Sequence, residues 1–338
     1  MFDIFGRLWG LRDQGTTPAT WIETATPEDI VACFRLLLGR YPTDEEWPGH
    51  SSRAGENLAV VVRSFLQSKE FFDRRLLSPG EFRKYELVQV GQLQVAASPD
   101  DIDVGKQILS GSYEPHVTAV IKRELKPGMH VVDVGANCGY FSMLALTYVG
   151  DQGRVWAIEP NFSNVRLLEV ARRCNKSENL FIIPAAAGDA FGPVKLNAAY
   201  SNGTISKLTN SMDEVFTAVL ACQIPLDCIF ENESHVDFVK IDVEGAEYLA
   251  LKGFERTLDR CHPTIVSEFA PNMMPGISGV SGADYLQFLF QKNYQVGVIQ
   301  KDGNVSAYSR STAHITAAHI ASGVDHIDIL ARPVSTIA

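Results

Sequence analysis

The sequence predicts an α/β fold: a mostly parallel, seven-stranded sheet with helices on both faces, preceded by a small all-α domain. Three features predict it. From residue 129 onward, short apolar runs alternate with longer helix-like stretches, the pattern that builds a parallel sheet. The first run, Val131 to Val134, enters a glycine turn, "GANCG", and then a helix-like stretch. Upstream, residues 27–77 carry helical periodicity and no strand pattern.

Taken in order, residues 1–26 read as a tail. Phe2, Ile4, Phe5, Leu8 and Trp9 give it a weakly amphipathic pattern, too short and too interrupted for a signal peptide. Thr26-Pro27-Glu28-Asp29 starts the helical domain, 27–77, with a hydroxyl cap, a proline in the first turn and two acids behind it. Ile30, Cys33, Phe34, Leu37 and Leu38 then share one face, and Gly39 stops the helix. "YPTDEEWPG" restarts with Thr43 as cap and is expected to break at Pro48-Gly49. Asn57 caps a third helix carrying Leu58, Val61, Val62, Phe65 and Leu66 on one face, and "SKEFFDRRLL" continues it. Residues 78–128 read as a connector with lid elements: short strands in "GQLQVAASPDDID" and a helix over 116–125, ended by Pro127-Gly128.

The remaining residues, 129–338, hold the sheet. Strands are expected at 129–134, 154–159, 180–184, 237–242, 264–269, 293–300 and 325–331. Helices are expected at 139–149, 161–174, 245–258 and 282–292. The stretch 186–236 is less regular, with hairpin-like pieces around "VKLNAAYSNGTISKL". The run "PNMMPGISGVSG", 270–281, reads as a flexible loop. These two stretches are expected to shape the acceptor's pocket.

Composition narrows the function. The 338 residues are 46% hydrophobic and 21% charged, as in an ordinary globular protein, and the formal net charge is −10. That charge disfavours a nucleic-acid partner, which calls for clustered Lys and Arg. No apolar run approaches the ~20 residues of a transmembrane segment. The six cysteines form no C-x-x-C pair and no zinc spacing, so they read as reduced, mostly buried thiols of a cytoplasmic protein. Cys138, inside the glycine turn, reads as a small turn-lining residue. Nothing in the sequence fixes the oligomeric state.

Open parallel sheets bind ligands at the carboxyl ends of their strands. Asp133 ends the first strand, Glu159 the second and Asp242 the fourth; Asp189 follows the third, and Glu268 lies near the end of the fifth. Gly135 and Gly139 let the backbone come close to a ligand, and Glu159 can take both hydroxyls of a ribose. A dinucleotide would call for G-x-G-x-x-G, with its pyrophosphate on backbone N–H groups away from negative charge. Here the turn reads D-x-G-x-x-x-G, with Asn137 in place of the middle glycine, and the edge gathers acids. S-adenosyl-L-methionine has no phosphate, and its amino and sulfonium groups are positive. The residues favour it over NAD.

"VVDVGANCGYFS", "AIEPN", "FVKIDVEGAEYLALKG" and "SEF" resemble the FkbM-type methyltransferases, a family of class I S-adenosylmethionine-dependent enzymes with a Rossmann-like fold. "GSYEP" and "IPLDCIF" fit the same pattern. The resemblance covers roughly 105–300, and K-I-D-V-E-G-A-E, 240–247, is its most specific piece. It implies O-methylation of a hydroxyl on a sugar, glycan, glycolipid or related natural product. By motif, Asp133, Gly135, Ala136, Asn137 and Gly139 would line the methionine end and Glu159 would hold the ribose, with Asn161 close by. Ala187, Gly188 and Asp189 would flank the adenine, and Tyr113 and Glu114 would close over the site. The segment "LLGRYPTDEE" followed by "FLQSKEF" resembles a helical module found beside glycan-modifying and methyltransferase domains, without a well-defined function.

A hydroxyl is a poor nucleophile at neutral pH, so methyl transfer to it calls for a base or a metal. Asp242 and Glu244 are the first candidates for base or acceptor-orienting group, and Glu268 is the third. Two of these carboxylates could instead hold a divalent cation, which no spacing demands. Glu247 reads as a helix-dipole partner in the first turn of its helix. His116 and His235 are alternative bases, ranked below the carboxylates. Two rival readings remain: an NAD-type oxidoreductase on a similar sheet, and a non-catalytic cofactor-binding or scaffold protein.

Overall fold

The computed structural model describes residues 23–73, 84–198 and 202–334. The tail up to residue 22, the helix continuation at 74–77 and the hairpin tip at 199–201 lie outside the described residues. The chain divides into two compact units, Met1–Ser78 and Pro79–Ala338.

In the smaller unit, α1 (Pro27–Leu37) opens on a capping box: the Thr26 hydroxyl accepts the Asp29 N–H while the Asp29 carboxylate accepts the Thr26 N–H. The short α2 (Trp47–Ser51) runs through Pro48-Gly49, where the sequence predicts a break. Proline is tolerated there because first-turn N–H groups have no intrahelical partner. Asn57 caps α3 (Leu58–Leu66), and α4 (Lys69–Asp73) follows. Ile30, Phe34, Val61, Phe65 and Phe71 form the core of this unit. The Arg40 guanidinium forks between Glu46 and Glu70, at 2.8 and 2.6 Å.

The larger unit begins with a hairpin, β1 (Glu86–Val90) and β2 (Leu93–Ala97), then α5 (Gly105–Leu109) and α6 (Pro115–Glu124). Next come β3 (His130–Val134), α7 (Tyr140–Val149), β4 (Arg154–Ile158), α8 (Phe162–Asn175) and β5 (Leu180–Ile183). The stretch the sequence reads as irregular holds β6 (Ala186–Ala187), β7 (Gly192–Ala198), β8 (Gly203–Ser206), α9 (Met212–Thr217) and β9 (Leu220–Ile224). These strands make a separate sheet in the order β6-β9-β7-β8. After α10 (Asp227–Phe230) come β10 (Phe238–Ile241), α11 (Glu247–Lys252), α12 (Glu255–Cys261), β11 (Thr264–Phe269), α13 (Met274–Ile277), α14 (Gly282–Gln291), β12 (Tyr294–Val298), α15 (Thr312–Ser322) and β13 (Ile327–Pro333).

The main sheet has seven strands in the order β12-β13-β11-β10-β3-β4-β5. β3, β4, β5, β10 and β11 are parallel, and β13 runs antiparallel between β11 and β12. All five residues of β3 are buried, as expected for a strand covered on both faces. Alternation along the strands splits the core in two. Val131, Val155 and Ala157 face one cluster; Val132, Val134, Trp156 and Ile158 face the other. Val95, Ala96, Ile108, Val117 and Ile121, from the stretch read as a connector, belong to the first cluster.

Two further expectations are corrected, and one helix was not expected. The single helix over 245–258 is two, interrupted at Gly253, where a Cβ would sit 1.8 Å from the Gly188 carbonyl oxygen. The loop 270–281 contains α13, and Met274 is fully buried. α15 has no counterpart in the sequence reading; it packs on α14 and β12, but Ile315 and His319 are its only buried residues, too few for an apolar face to show. Among the described residues, no helix is long and apolar enough to cross a membrane.

Buried Asp227 ties α10 to α12: its carboxylate accepts the N–H groups of Arg256 and Thr257 and the Thr257 hydroxyl. Asp227→Ala is expected to lower stability by about 2–3 kcal/mol, because it strands two backbone donors and a hydroxyl. Urea unfolding of the variant beside the parent chain checks this.

Candidate functional site

A cleft of about 290 Å³ opens over the carboxyl ends of β3, β4, β10 and β11. Ten of the site residues expected from the sequence line it: Tyr113, Glu114, Gly135, Asn137, Glu159, Asn161, Ala187, Asp242, Glu244 and Glu268. Asp133, Ala136, Gly139, Gly188 and Asp189 do not.

The five that miss the cleft have structural explanations. Asp133 is buried beneath the turn, where it accepts the Ser142 hydroxyl at 2.6 Å. Burial pushes its carboxyl above the ordinary range, against the pull of Lys240 and Ser142. Ala136 is buried in the turn, its N–H given to the Ile158 carbonyl. Gly139, at φ +93°, starts α7, and a Cβ there would come within 2.4 Å of Leu168. Gly188 is packed on the Gln223 side chain, 2.2 Å from where a Cβ would stand. Asp189 is exposed.

Gly135 does line the cleft, but its glycine requirement is internal. It adopts φ +77°, and a Cβ would sit 1.8 Å from the backbone oxygen of Asp242. The close approach that the sequence assigns to a ligand is made by the protein's own chain. Asn137 follows in the left-handed region, φ +52°. Its Oδ1 accepts the Cys138 N–H, and its amide donates to Asn202. Burial pushes the Cys138 thiol up to about 12, so it is an unreactive, turn-lining group. Of the six thiols only Cys33 and Cys138 are buried; Cys174, Cys222 and Cys228 are exposed, contrary to the expected burial.

Glu159 is 5% exposed at the end of β4. One oxygen accepts the N–H of Asn137 and the other that of Asn161, both at 2.8 Å. Burial raises its carboxyl to about 7, and the two N–H donors oppose the rise. The Asn161 side chain caps α8 through Ser163 N. Tyr113 packs edge-on against Tyr140, and Glu114 opens α6 in a left-handed conformation, φ +37°. Burial raises Glu114 to about 7, with Lys240 opposing.

β10 supplies a residue the sequence reading missed. Lys240 is 5% exposed and stands beside Asp133 in the β10–β3 register. Its ammonium lies 2.8 Å from Asp242 Oδ2 and 4.6 Å from the centre of the Phe141 ring. Burial works against this charge, but Asp242, Glu114 and Asp133 outweigh it and hold the ammonium protonated. A period-2 reading of "KID" would have found it, since residues i and i+2 share a strand face. Glu244 sits at φ +54°, followed by Gly245 at +96°; burial and Asp242 raise its carboxyl. Glu247 begins α11 fully buried and accepts the N–H groups of Val243 and Gly245. Glu268 is 8% exposed, and its Oε2 has no hydrogen-bond partner.

Neither alternative histidine base reaches the cleft. His116 pairs with Asp328 at 2.8 Å, and His235 stacks on His130 at the opposite, amino end of the sheet. His326, which the sequence reading did not select, is at the cleft rim. The lining contains six carboxylic side chains, Asp103, Glu114, Glu159, Asp242, Glu244 and Glu268, and no Lys or Arg. Among the described residues, no group of three or more His, Cys, Asp or Glu is arranged to hold a metal ion.

Comparison with known proteins gives a family match: residues 133–296 fit the Methyltransferase FkbM domain. Over 93 residues the chain is 32% identical to a probable cobalt-precorrin-6B C(15)-methyltransferase (decarboxylating) of Sulfurisphaera tokodaii. That match covers 27% of this chain and 48% of the relative, so the chain spans about half the length of the curated relative it matches. A methyltransferase FkbM structure from Methylobacillus flagellatus is similar with a TM-score of 0.39 and 16% identity, over 89% of this chain and 58% of that one. A precorrin-6y C5,15-methyltransferase from Geobacter metallireducens is similar with a TM-score of 0.37 and 12% identity, over 71% and 94%.

Two predictions follow from the geometry. Gly135→Ala is expected to cost more than about 2 kcal/mol, from left-handed strain and the clash with Asp242, measured by thermal or urea unfolding. Glu247, raised to about 7 by burial, makes stability pH-dependent. Its contribution is present below the unfolded value near 4.5 and is lost as pH rises through 7. Glu247→Gln removes that loss. The stability of the variant relative to the parent should therefore rise by roughly 1–3 kcal/mol between pH 5 and pH 8; a flat difference would show that Glu247 does not titrate there.

Proposed function

We propose that this chain, which carries a methyltransferase FkbM domain over residues 133–296, transfers a methyl group from S-adenosyl-L-methionine to a hydroxyl of a sugar, glycan or related small molecule. The observation that carries this reading is the charge of the cleft: six carboxylic side chains and no Lys or Arg. A pyrophosphate placed there would meet carboxylates and no lining Lys or Arg, the nearby Lys240 being already paired with Asp242. A sulfonium and an ammonium would meet complementary charge. The net charge of −10 likewise favours a neutral or cationic acceptor over a phosphate backbone. The six free thiols favour a reducing compartment, the cytoplasm.

Each residue then has a task. A carboxylate offers about four lone-pair sites. Glu159 already accepts from the Asn137 and Asn161 N–H groups and the Asn164 side chain, so the two ribose hydroxyls share its remaining capacity or displace the Asn164 bond. Ala187 gives the adenine a small apolar wall, while Gly135 and Asn137 line the methionine end. The bound donor supplies an electrophilic methyl group: its carbon–sulfur bond breaks as the new oxygen–carbon bond forms. Asp242 has Oδ2 committed to Lys240 and receives the acceptor's hydroxyl proton on Oδ1. Lys240 fixes the rotamer of Asp242 through that bond. A positioned base of this kind is worth roughly 10²–10⁴ in rate. Glu244, in its strained conformation, orients the acceptor. Tyr113 and Glu114 close the cleft against water.

Calorimetric titration tests the reading. S-adenosylmethionine and its demethylated product are expected to bind, NAD and NADH not to bind, and Glu159→Ala to weaken binding roughly tenfold or more. Unchanged affinity in the variant refutes the ribose assignment. Binding of NADH with none of the sulfonium compound overturns the reading as a whole.

A further inference from the structure

The carboxylates of the cleft are not equally provided for. Asp242 has Lys240 at 2.8 Å, and Glu159 has two backbone N–H groups. Glu268 has one carboxyl oxygen, Oε2, that is buried and without a hydrogen-bond partner. Its other oxygen lies 3.6 Å from His326 Nδ1, too far for a good hydrogen bond. The residue is 8% exposed, yet it lines the cleft. It also sits among like charges. In the β11–β13 ladder Glu268 stands directly opposite Asp328, an unfavourable cross-strand pair. Asp328 is engaged by His116. Burial first, and then Asp242, Glu247, Glu244 and Asp328, push the Glu268 carboxyl far above its ordinary range.

Its place in the sheet matters as much. Glu159 ends β4 and Glu268 lies on β11, with β3 and β10 between them. At ~4.8 Å per strand, the two strands are roughly 14 Å apart along the edge. If Glu159 holds the ribose of the donor, Glu268 faces the acceptor's half of the cleft. A neutral hydroxyl could satisfy Oε2 but would leave the like charges unopposed. An ammonium does both: it donates a hydrogen bond and supplies positive charge, and the Glu268 carboxyl gives up its proton to solvent as the ammonium binds. Lys240 cannot, because its ammonium is spent on Asp242.

We infer that Glu268, flanked by Glu244, forms a subsite for an ammonium group, and that the acceptor is a hydroxylated amine of the amino-sugar class. This inference rests on the methyl-transfer reading above. The same chemistry could come from the α-ammonium of the donor, so the test separates the two sources.

The protein, saturated with S-adenosylhomocysteine, is titrated with D-glucosamine, N-acetyl-D-glucosamine and D-glucose. Glucosamine is expected to bind roughly tenfold tighter than either neutral sugar, and Glu268→Gln to bring the three within about threefold. The variant should keep its affinity for S-adenosylhomocysteine to within about twofold. Equal binding of the three sugars by the parent protein, or none, overturns the inference without recourse to any variant. A preference that survives in Glu268→Gln overturns the assignment to Glu268. If the variant loses S-adenosylhomocysteine but keeps 5′-methylthioadenosine, which lacks the amino-acid portion, the ammonium is the donor's and the acceptor assignment fails. If the parent does not bind S-adenosylhomocysteine at all, it is the methyl-transfer reading that fails.

Discussion

The carbonyl oxygen of Asp242 stands 1.8 Å from where Gly135 would carry a Cβ. The end of β10 is thus pressed against the turn after β3, with no room between them for any side chain. Backbone hydrogen bonds hold the contact from both sides: Asp242 N–H to Val134, and the Gly135 and Ala136 N–H groups to Ile158. Glu159 completes the lock by taking the Asn137 N–H. Three strand ends therefore fix one another's position. The residues proposed to hold the donor and the residue proposed to take the acceptor's proton cannot shift independently. Such preorganisation is what an in-line displacement calls for, since the reacting groups must be held in near-attack geometry before the barrier is crossed.

Buried charge is the cost of this arrangement. Lys240, Asp133, Glu159, Glu247 and Glu268 are all less than a tenth exposed. A fold seeking only stability would replace such groups with apolar side chains of similar volume. The two apolar clusters on either face of the sheet carry that task elsewhere. At the carboxyl edge the ionisable groups are kept, and their protonation states are pushed away from ordinary values by burial and by one another. Shifts of this kind concentrate at functional sites.

Much of this was legible in the sequence. Parallel strands buried on both faces read as continuous apolar runs, which is why 130–134, 154–158 and 264–269 stand out. Acids after those runs fall at the ligand edge because the strands are parallel. What was hidden depended on contacts distant in sequence. The break at Gly253 is set by the Gly188 carbonyl, and the need for glycine at 135 by Asp242. Lys240 reads as an ordinary strand lysine until its neighbours Asp133 and Asp242 are seen around it. His326 is brought to the cleft by the insertion of β13 between β11 and β12, an order that periodicity does not encode. Asp189 was placed at the site by its position after a strand, but the chain turns there into the second sheet and leaves its side chain in solvent.

The proposed role of the acid-lined cleft, anchored by Glu159, is to receive a phosphate-free sulfonium donor. A crystal structure of the complex with S-adenosylhomocysteine tests this most directly. Both ribose hydroxyls should lie within hydrogen-bond distance of the Glu159 carboxylate, with the sulfur between the Gly135 turn and Asp242. A ligand bound with its ribose away from Glu159, or outside the cleft, would contradict it.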